Sequence, residues 1–369
     1  MIKRRVIKDN IHISKKLIIE SVKKSKFHLP VDCYRNENSI YNAVLDSLIK
    51  SKTSELFLDL EIIECCTIDK YPKIVTIENS QNLFFIYDRY IETINDIFNC
   101  LYESNLDEID PDIEKLVFGL KAENCLLNED KLGFIYTALK YNSLKDFSFG
   151  YSLVQKNSFI AHIQVYFLVL HEFAHYTFKS IDFSELKGSI ATTLKELGEE
   201  LLSNHNDDEI VDITDSMKKL IDDENLIEEC CCGVFAMQFM FQYLPNTINS
   251  FGKKKDAIKA IGFQLNTLSL LSLVNEKSDF YEFTYFELIT YLRIGFFRTQ
   301  INGFFEESEM DAVDLMMNES FRKYDDIFNT SFLTKFYSIE DEIKILRERI
   351  NPKSIHYKKF SELYRGLRI

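Results

Sequence analysis

The sequence predicts an α+β protein that is predominantly α-helical, with a small sheet confined to its amino-terminal part. Three observations lead there. Strand-like runs cluster before Asp88, helical periodicity dominates from Asp112 onward, and turn-forming residues are scarce. The 369 residues include only 5 Pro and 11 Gly, no Trp, but 31 Phe and 19 Tyr. Such a composition favours long helices with aromatic packing over a turn-rich sandwich or barrel.

Runs 55–64 (ELFLDLEIIE), 73–78 (KIVTIE) and 82–87 (NLFFIY) are rich in β-branched and aromatic residues between polar clusters, so they are expected as strands. Segment 88–103 follows with Tyr90, Ile94, Ile97 and Leu101 at helical spacing, which completes a strand-to-helix unit. Helices are then expected over 131–142, 159–178, 190–203, 224–243, 256–274 and 283–297. The acidic, aperiodic stretch 205–215 (HNDDEIVDITD) is expected as a surface loop. These patterns divide the chain into a mixed α/β region over 1–125 and a helical region over 126–369. The carboxy-terminal run with Arg347, Arg349, Lys353, Lys358, Lys359, Arg365 and Arg368 reverses the overall charge. It reads as a helix with solvated cations, with a docking tail for an acidic surface as the alternative.

Charge excludes one class of partner. Lys and Arg number 44 against 58 Asp and Glu, a formal net charge of -14, and such a surface repels phosphate backbones. Nucleic acid is therefore not expected as a partner. No membrane association is expected either, because the most apolar run, 158–173, is short and interrupted by His162, Gln164 and His171. The basic start, Met1 to Arg5, lacks the apolar stretch of a secretory signal. The eight cysteines form no Cys-x-x-Cys pair, and a cytoplasmic, thiol-reducing setting is expected.

The chemistry concentrates in 167–176 (FLVLHEFAHY), which contains His-Glu-x-x-His. Residues four apart share one helix face, so His171 and His175 can aim two imidazoles at one point. That geometry suits Zn²⁺. Glu172 is rotated about 100° from His171, which makes it the natural general base toward a metal-activated water. A catalytic zinc site needs a third protein ligand and an open position. Residues 176–184 hold neither Gly nor His, so a third histidine close behind is excluded. The downstream helix 224–243 opens with Glu228 and Glu229. Glu229 is the expected third ligand and Glu228 its competitor.

With these residues the chain resembles the HExxH zinc metallopeptidases of the gluzincin type, whose third ligand is a glutamate on a later helix reading Glu-x-x-Ala-Asp-x-x-Ala or ending Phe-Ala. The resemblance covers 159–241 and implies a zincin-like core. It aligns Glu229 with the ligand, Cys232 with the small Ala, Gly233 with the Asp, and Phe235 and Ala236 with the terminal pair. Gly233 is a departure, since the family Asp supports a ligand histidine as an acceptor and glycine cannot. The chain also looks like the Lit-type phage-exclusion peptidases, which implies a protease that cuts a host protein in a phage-defence or stress response and leaves room for a regulatory partner. The resemblance further implies a transition-state stabiliser from a distant element. Candidates are His205, Tyr281, Tyr285 and Arg293; Arg293-Ile294 matches a family pair, while 284–287 (TYFE) lacks the preceding His-Pro. A structural ion pair is an equal reading of Arg293.

Two other readings compete: a non-catalytic zinc-binding sensor or interaction protein on a peptidase scaffold, and a metal-free helical interaction protein. The Cys230–Cys231–Cys232 triplet is expected as buried small residues, because adjacent helical side chains diverge by about 100° and cannot share one ion. Cys65 and Cys66 are read the same way. His162 and Tyr176 are expected to serve packing.

Overall fold

The protein was analysed as a computed structural model describing residues 32–34, 40–50, 54–57, 59–66, 72–76, 83–88, 91–92, 94–96, 99, 106–146, 158–203, 217–244, 248, 250–275, 283–325 and 331–349. The sheet has four strands, β1 (Asp32–Tyr34), β2 (Leu60–Cys66), β3 (Lys73–Thr76) and β4 (Leu83–Asp88), in the order β1-β2-β4-β3. β2 and β4 run parallel with Ile62 opposite Phe85, while β1 and β3 are antiparallel edges. β4 is buried along its whole length, as a central strand covered on both faces must be. One cover is α1 (Ile40–Ile49), whose Tyr41 stacks on Tyr87 with ring centroids 3.8 Å apart and on Phe85 at 5.6 Å.

The first expected strand is corrected in part. Residues Ser54–Phe57 form a single 3₁₀ turn, and β2 begins at Leu60. Phe57 explains the turn, because it is fully buried between Phe173 and Phe239, with centroids 4.9 and 5.7 Å away, while Leu56 faces solvent. Expected strands 73–78 and 82–87 correspond to β3 and β4. Of segment 88–103, residues 91–92, 94–96 and 99 are helical, with Ile91 and Ile94 fully buried.

Ten long helices occur among the described residues. After α1 come α2 (Leu106–Leu127), α3 (Lys131–Ser143), α4 (Ser158–Phe178), α5 (Ser184–Ser203), α6 (Glu224–Tyr243), α7 (Phe251–Asn275), α8 (Phe283–Ile301), α9 (Glu307–Asp325) and α10 (Thr334–Arg349). The position 125/126 falls inside α2, and the larger core cluster draws on Tyr41 and Phe85 before it as well as Leu170 and Leu268 after it. Expected loop 205–215 lies outside the described residues, as does the basic run beyond Arg349. No described helix is long and apolar enough to cross a membrane.

α4 is the central element. It packs against α6, α7, α1 and β3, and residues 163–174 are all buried. A helix apolar on nearly all sides has to be enclosed in this way. Burying side chains such as Phe167, Leu168 and Leu170 contributes about 1.5–3 kcal/mol each. Some polar residues on α4 and α7 pair with Asn95 and Asn99: Asn99 exchanges hydrogen bonds with Gln164, while Asn95 donates to Gln264 and accepts from Thr267. α6 starts where Asp223 caps it, its side chain accepting from the Asn225 amide at 2.8 Å. This start places Glu228 and Glu229 in the second turn, against α4. A second cluster, with Ile190, Leu194, Leu226, Cys230, Leu292 and Phe296, joins α5, α6 and α8.

Candidate metal centre

His171 and His175 lie one turn apart on α4, their rings 5.1 Å apart and steeply inclined at 77°. His171, Glu172 and His175 each present a ligand-type atom, all within 4.8 Å of one another. His171 and Glu172 are buried, and the His175 side chain is 22% exposed. Solvent touches the cluster chiefly at His175.

Glu229 closes the group from α6. Its Oε2 accepts from His171 Nε2 at 3.1 Å, and its Oε1 lies 3.3 Å from His175 Nε2. Arg293 of α8 donates through Nη2 to the same Oε2 at 3.2 Å. Glu228 takes another place: its Oε1 accepts from His175 Nδ1 at 2.9 Å. The two adjacent glutamates therefore reach opposite nitrogens of the His175 ring.

The charges follow from this packing. Burial would raise the Glu229 carboxyl, but hydrogen bonds from His171 and His175 hold it well below the usual range. Burial opposes a charge on His175, yet hydrogen bonds with Cys232 and Glu229 raise it to about 12. His171, fully enclosed, is lowered chiefly by burial. Burial pushes Glu172 up to about 8.

The residues present fit a zinc ion. Two imidazole nitrogens and one carboxylate converge, which is a recognised donor set for a catalytic zinc with one position left over. Glu229 faces the same nitrogens that would turn to an ion. Glu172 Oε1 is buried without a hydrogen-bond partner, as a base awaiting a water would be. The Glu228–His175 bond fixes the tautomer that presents Nε2. His171 lacks that support, for its Nδ1 is buried and unpartnered. The aligned position, Gly233, opens onto a void with room for about one water, and an added Cβ there would meet only Phe167 Cζ at 3.9 Å.

The other expected site residues divide. Arg293 is brought to the centre. Tyr285 lies on α8, while His205 and Tyr281 fall outside the described residues. His162 is half-buried and outside the donor cluster, and Tyr176 packs against the main core. Cys230 and Cys231 are buried in the second cluster, and Cys65 and Cys66 lie on β2. Cys232 is buried as well but belongs to neither hydrophobic cluster. Compared with protein-family models, curated proteins and solved structures, the chain finds no match.

Proposed function

We propose that this protein is a zinc-dependent endopeptidase that hydrolyses a peptide bond in a protein substrate. One observation supports the reading above the others: the two His-Glu-x-x-His imidazoles meet a single carboxylate from a separate helix, beside a buried glutamate oxygen with no partner. His171, His175 and Glu229 would hold the ion. When bound, zinc would activate a water and polarise the scissile carbonyl.

The protein's own groups supply the rest. Burial favours the protonated form of Glu172, and a divalent charge beside it would favour the ionised form. In that form it accepts a proton from the attacking water and returns it to the leaving amine. Arg293 neutralises Glu229 and is available to a developing oxyanion. β3 is an edge strand against α4, and an extended peptide can pair with such an edge. Action on a host protein in the cytoplasm, as in phage defence, belongs to this proposal through the Lit-type resemblance alone.

A second reading, a zinc-binding protein without hydrolytic activity, is favoured by the missing acceptor at His171 Nδ1. The experiment that separates them labels new amino termini in a bacterial lysate, comparing the wild type with Glu172→Gln. Both proteins are expected to carry one equivalent of zinc. Only the wild type should generate new termini, and a loss of about 10²–10⁴-fold is expected in the variant. Equal patterns from two zinc-loaded proteins would refute the peptidase.

A further inference from the structure

We propose that Cys33 and Cys65, which stand directly opposite each other in the β1–β2 ladder, are an oxidisable pair that joins the edge strand to the sheet through a reversible disulfide. Directly opposed residues of an antiparallel pair have Cα atoms about 4.5–5.5 Å apart, inside the span of about 4.4–6.8 Å that a disulfide bridges. The register also selects the partner. Cys66 is opposite Asp32 and, by the alternation of a strand, belongs to the other face of the sheet, so within this ladder Cys33 is matched with Cys65 alone. Cys125, Cys230, Cys231 and Cys232 are buried on α2 and α6, outside the sheet.

β1 is three residues long and pairs on one side only. So short an edge is held by few hydrogen bonds, and it can part from β2 far enough to admit a small oxidant. With a low-molecular-weight disulfide as oxidant, one thiolate attacks a sulfur of that disulfide, releases one equivalent of the small thiol and is left as a mixed disulfide. The second cysteine then attacks the mixed disulfide, forms the Cys33–Cys65 bond and releases the other equivalent. Two electrons pass to the oxidant, and the two thiol protons go to the released thiolates. A reducing dithiol reverses both steps. Between the two cysteines lie α1, which covers β4, and the 3₁₀ turn whose Phe57 is seated between Phe173 of α4 and Phe239 of α6. The bond therefore closes a covalent loop around a segment that packs against both helices, and such a closure stabilises the folded chain by restricting the unfolded one. In a thiol-reducing setting the pair rests as two thiols, and oxidation sets the bond, as in redox-sensing disulfides. The bond needs neither a metal nor the peptidase reading.

The test treats the folded full-length chain with glutathione disulfide, blocks the remaining thiols with an alkylating agent and maps linked peptides by fragmentation mass spectrometry. Cys33 joined to Cys65 is the expected link, and dithiothreitol should reverse it. The oxidised wild type should melt a few degrees above the reduced protein. Cys66→Ser should keep both the link and the shift, whereas Cys33→Ser and Cys65→Ser should lose both. The wild-type map decides the pairing by itself if a variant fails to fold. No Cys33–Cys65 link in the wild type, a link from Cys33 to Cys66 in equal yield, or a link that forms only after denaturation would overturn the proposal. A link that lowers the melting temperature would overturn it as well, because the bond would then not fit the native ladder.

Discussion

Glu228 Oε1 stands 2.9 Å from His175 Nδ1, on the far side of the ring from Glu229. A carboxylate in that position locks the tautomer of a metal-binding imidazole and raises its basicity, and removing such a support lowers metal affinity about 10–100-fold. Glu228→Ala should show a loss of that size in competition with a chromophoric chelator. Glu228→Gln should retain most of the affinity, since its amide oxygen still accepts. Equal zinc affinity in the wild type and Glu228→Ala would show that the contact does not support the ion.

Arg293 has a different bond to the centre. It is 5% exposed and shares Glu229 Oε2 with His171, so it supplies the countercharge of a carboxylate that is largely enclosed. Removing one member of a buried ion pair leaves the other uncompensated, at a cost of about 3–5 kcal/mol for full burial; the partial exposure of Glu229 brings this down to about 2–4 kcal/mol. Arg293→Met should unfold at lower denaturant when metal-free. Zinc should restore more stability to the variant than to the wild type, because the ion takes over the neutralisation of Glu229. The same zinc-induced shift in both proteins would place the role of Arg293 elsewhere.

The helices of this centre were legible because each has a strong local signal. Segment 224–243 matches α6 in full, where a capping Asp223 precedes a long apolar run, and the expected 159–178 differs from α4 by one residue. Segment 55–64 reads as a strand from its apolar content, yet Phe57 is buried under Phe173 and Phe239 and Ser54–Phe57 form a 3₁₀ turn, a tertiary choice that no local pattern records. β1 is three residues long and is defined only by its pairing with β2. The choice between Glu228 and Glu229 was open for a related reason. Both open the same helix, and only the approach of α4 distinguishes the residue that meets Nε2 from the one that meets Nδ1.

Asp96 offers a test of the fold away from the centre. Burial raises its carboxyl from 3.8 to about 6. Between those values the folded chain binds the proton more readily than the unfolded one, so the contribution of Asp96 to stability falls as pH rises through that window. It is full below about pH 4 and gone above about pH 6. Asp96→Asn should therefore match the wild type at low pH and become the more stable protein as pH passes 6, read from urea denaturation midpoints across the range. A constant difference at every pH would mean that Asp96 does not titrate in this manner.

Gly233 and His171 offer the sharpest test of the proposed zinc peptidase. The imidazole has a buried Nδ1 without an acceptor, and the aligned carboxylate position is a glycine beside a small void, with only the edge of Phe167 near an added Cβ. Gly233→Asp would place a carboxylate in that space. In the metal-free protein it should destabilise, because a buried carboxylate loses its hydration. In the zinc-loaded protein it should strengthen binding by about tenfold, as an acceptor for a ligand histidine does. Chelator competition and denaturation with and without zinc measure the two effects separately. Their opposite signs are the expected signature, and a variant that lost stability without gaining zinc affinity would show that His171 does not use its Nδ1 toward that face of α6.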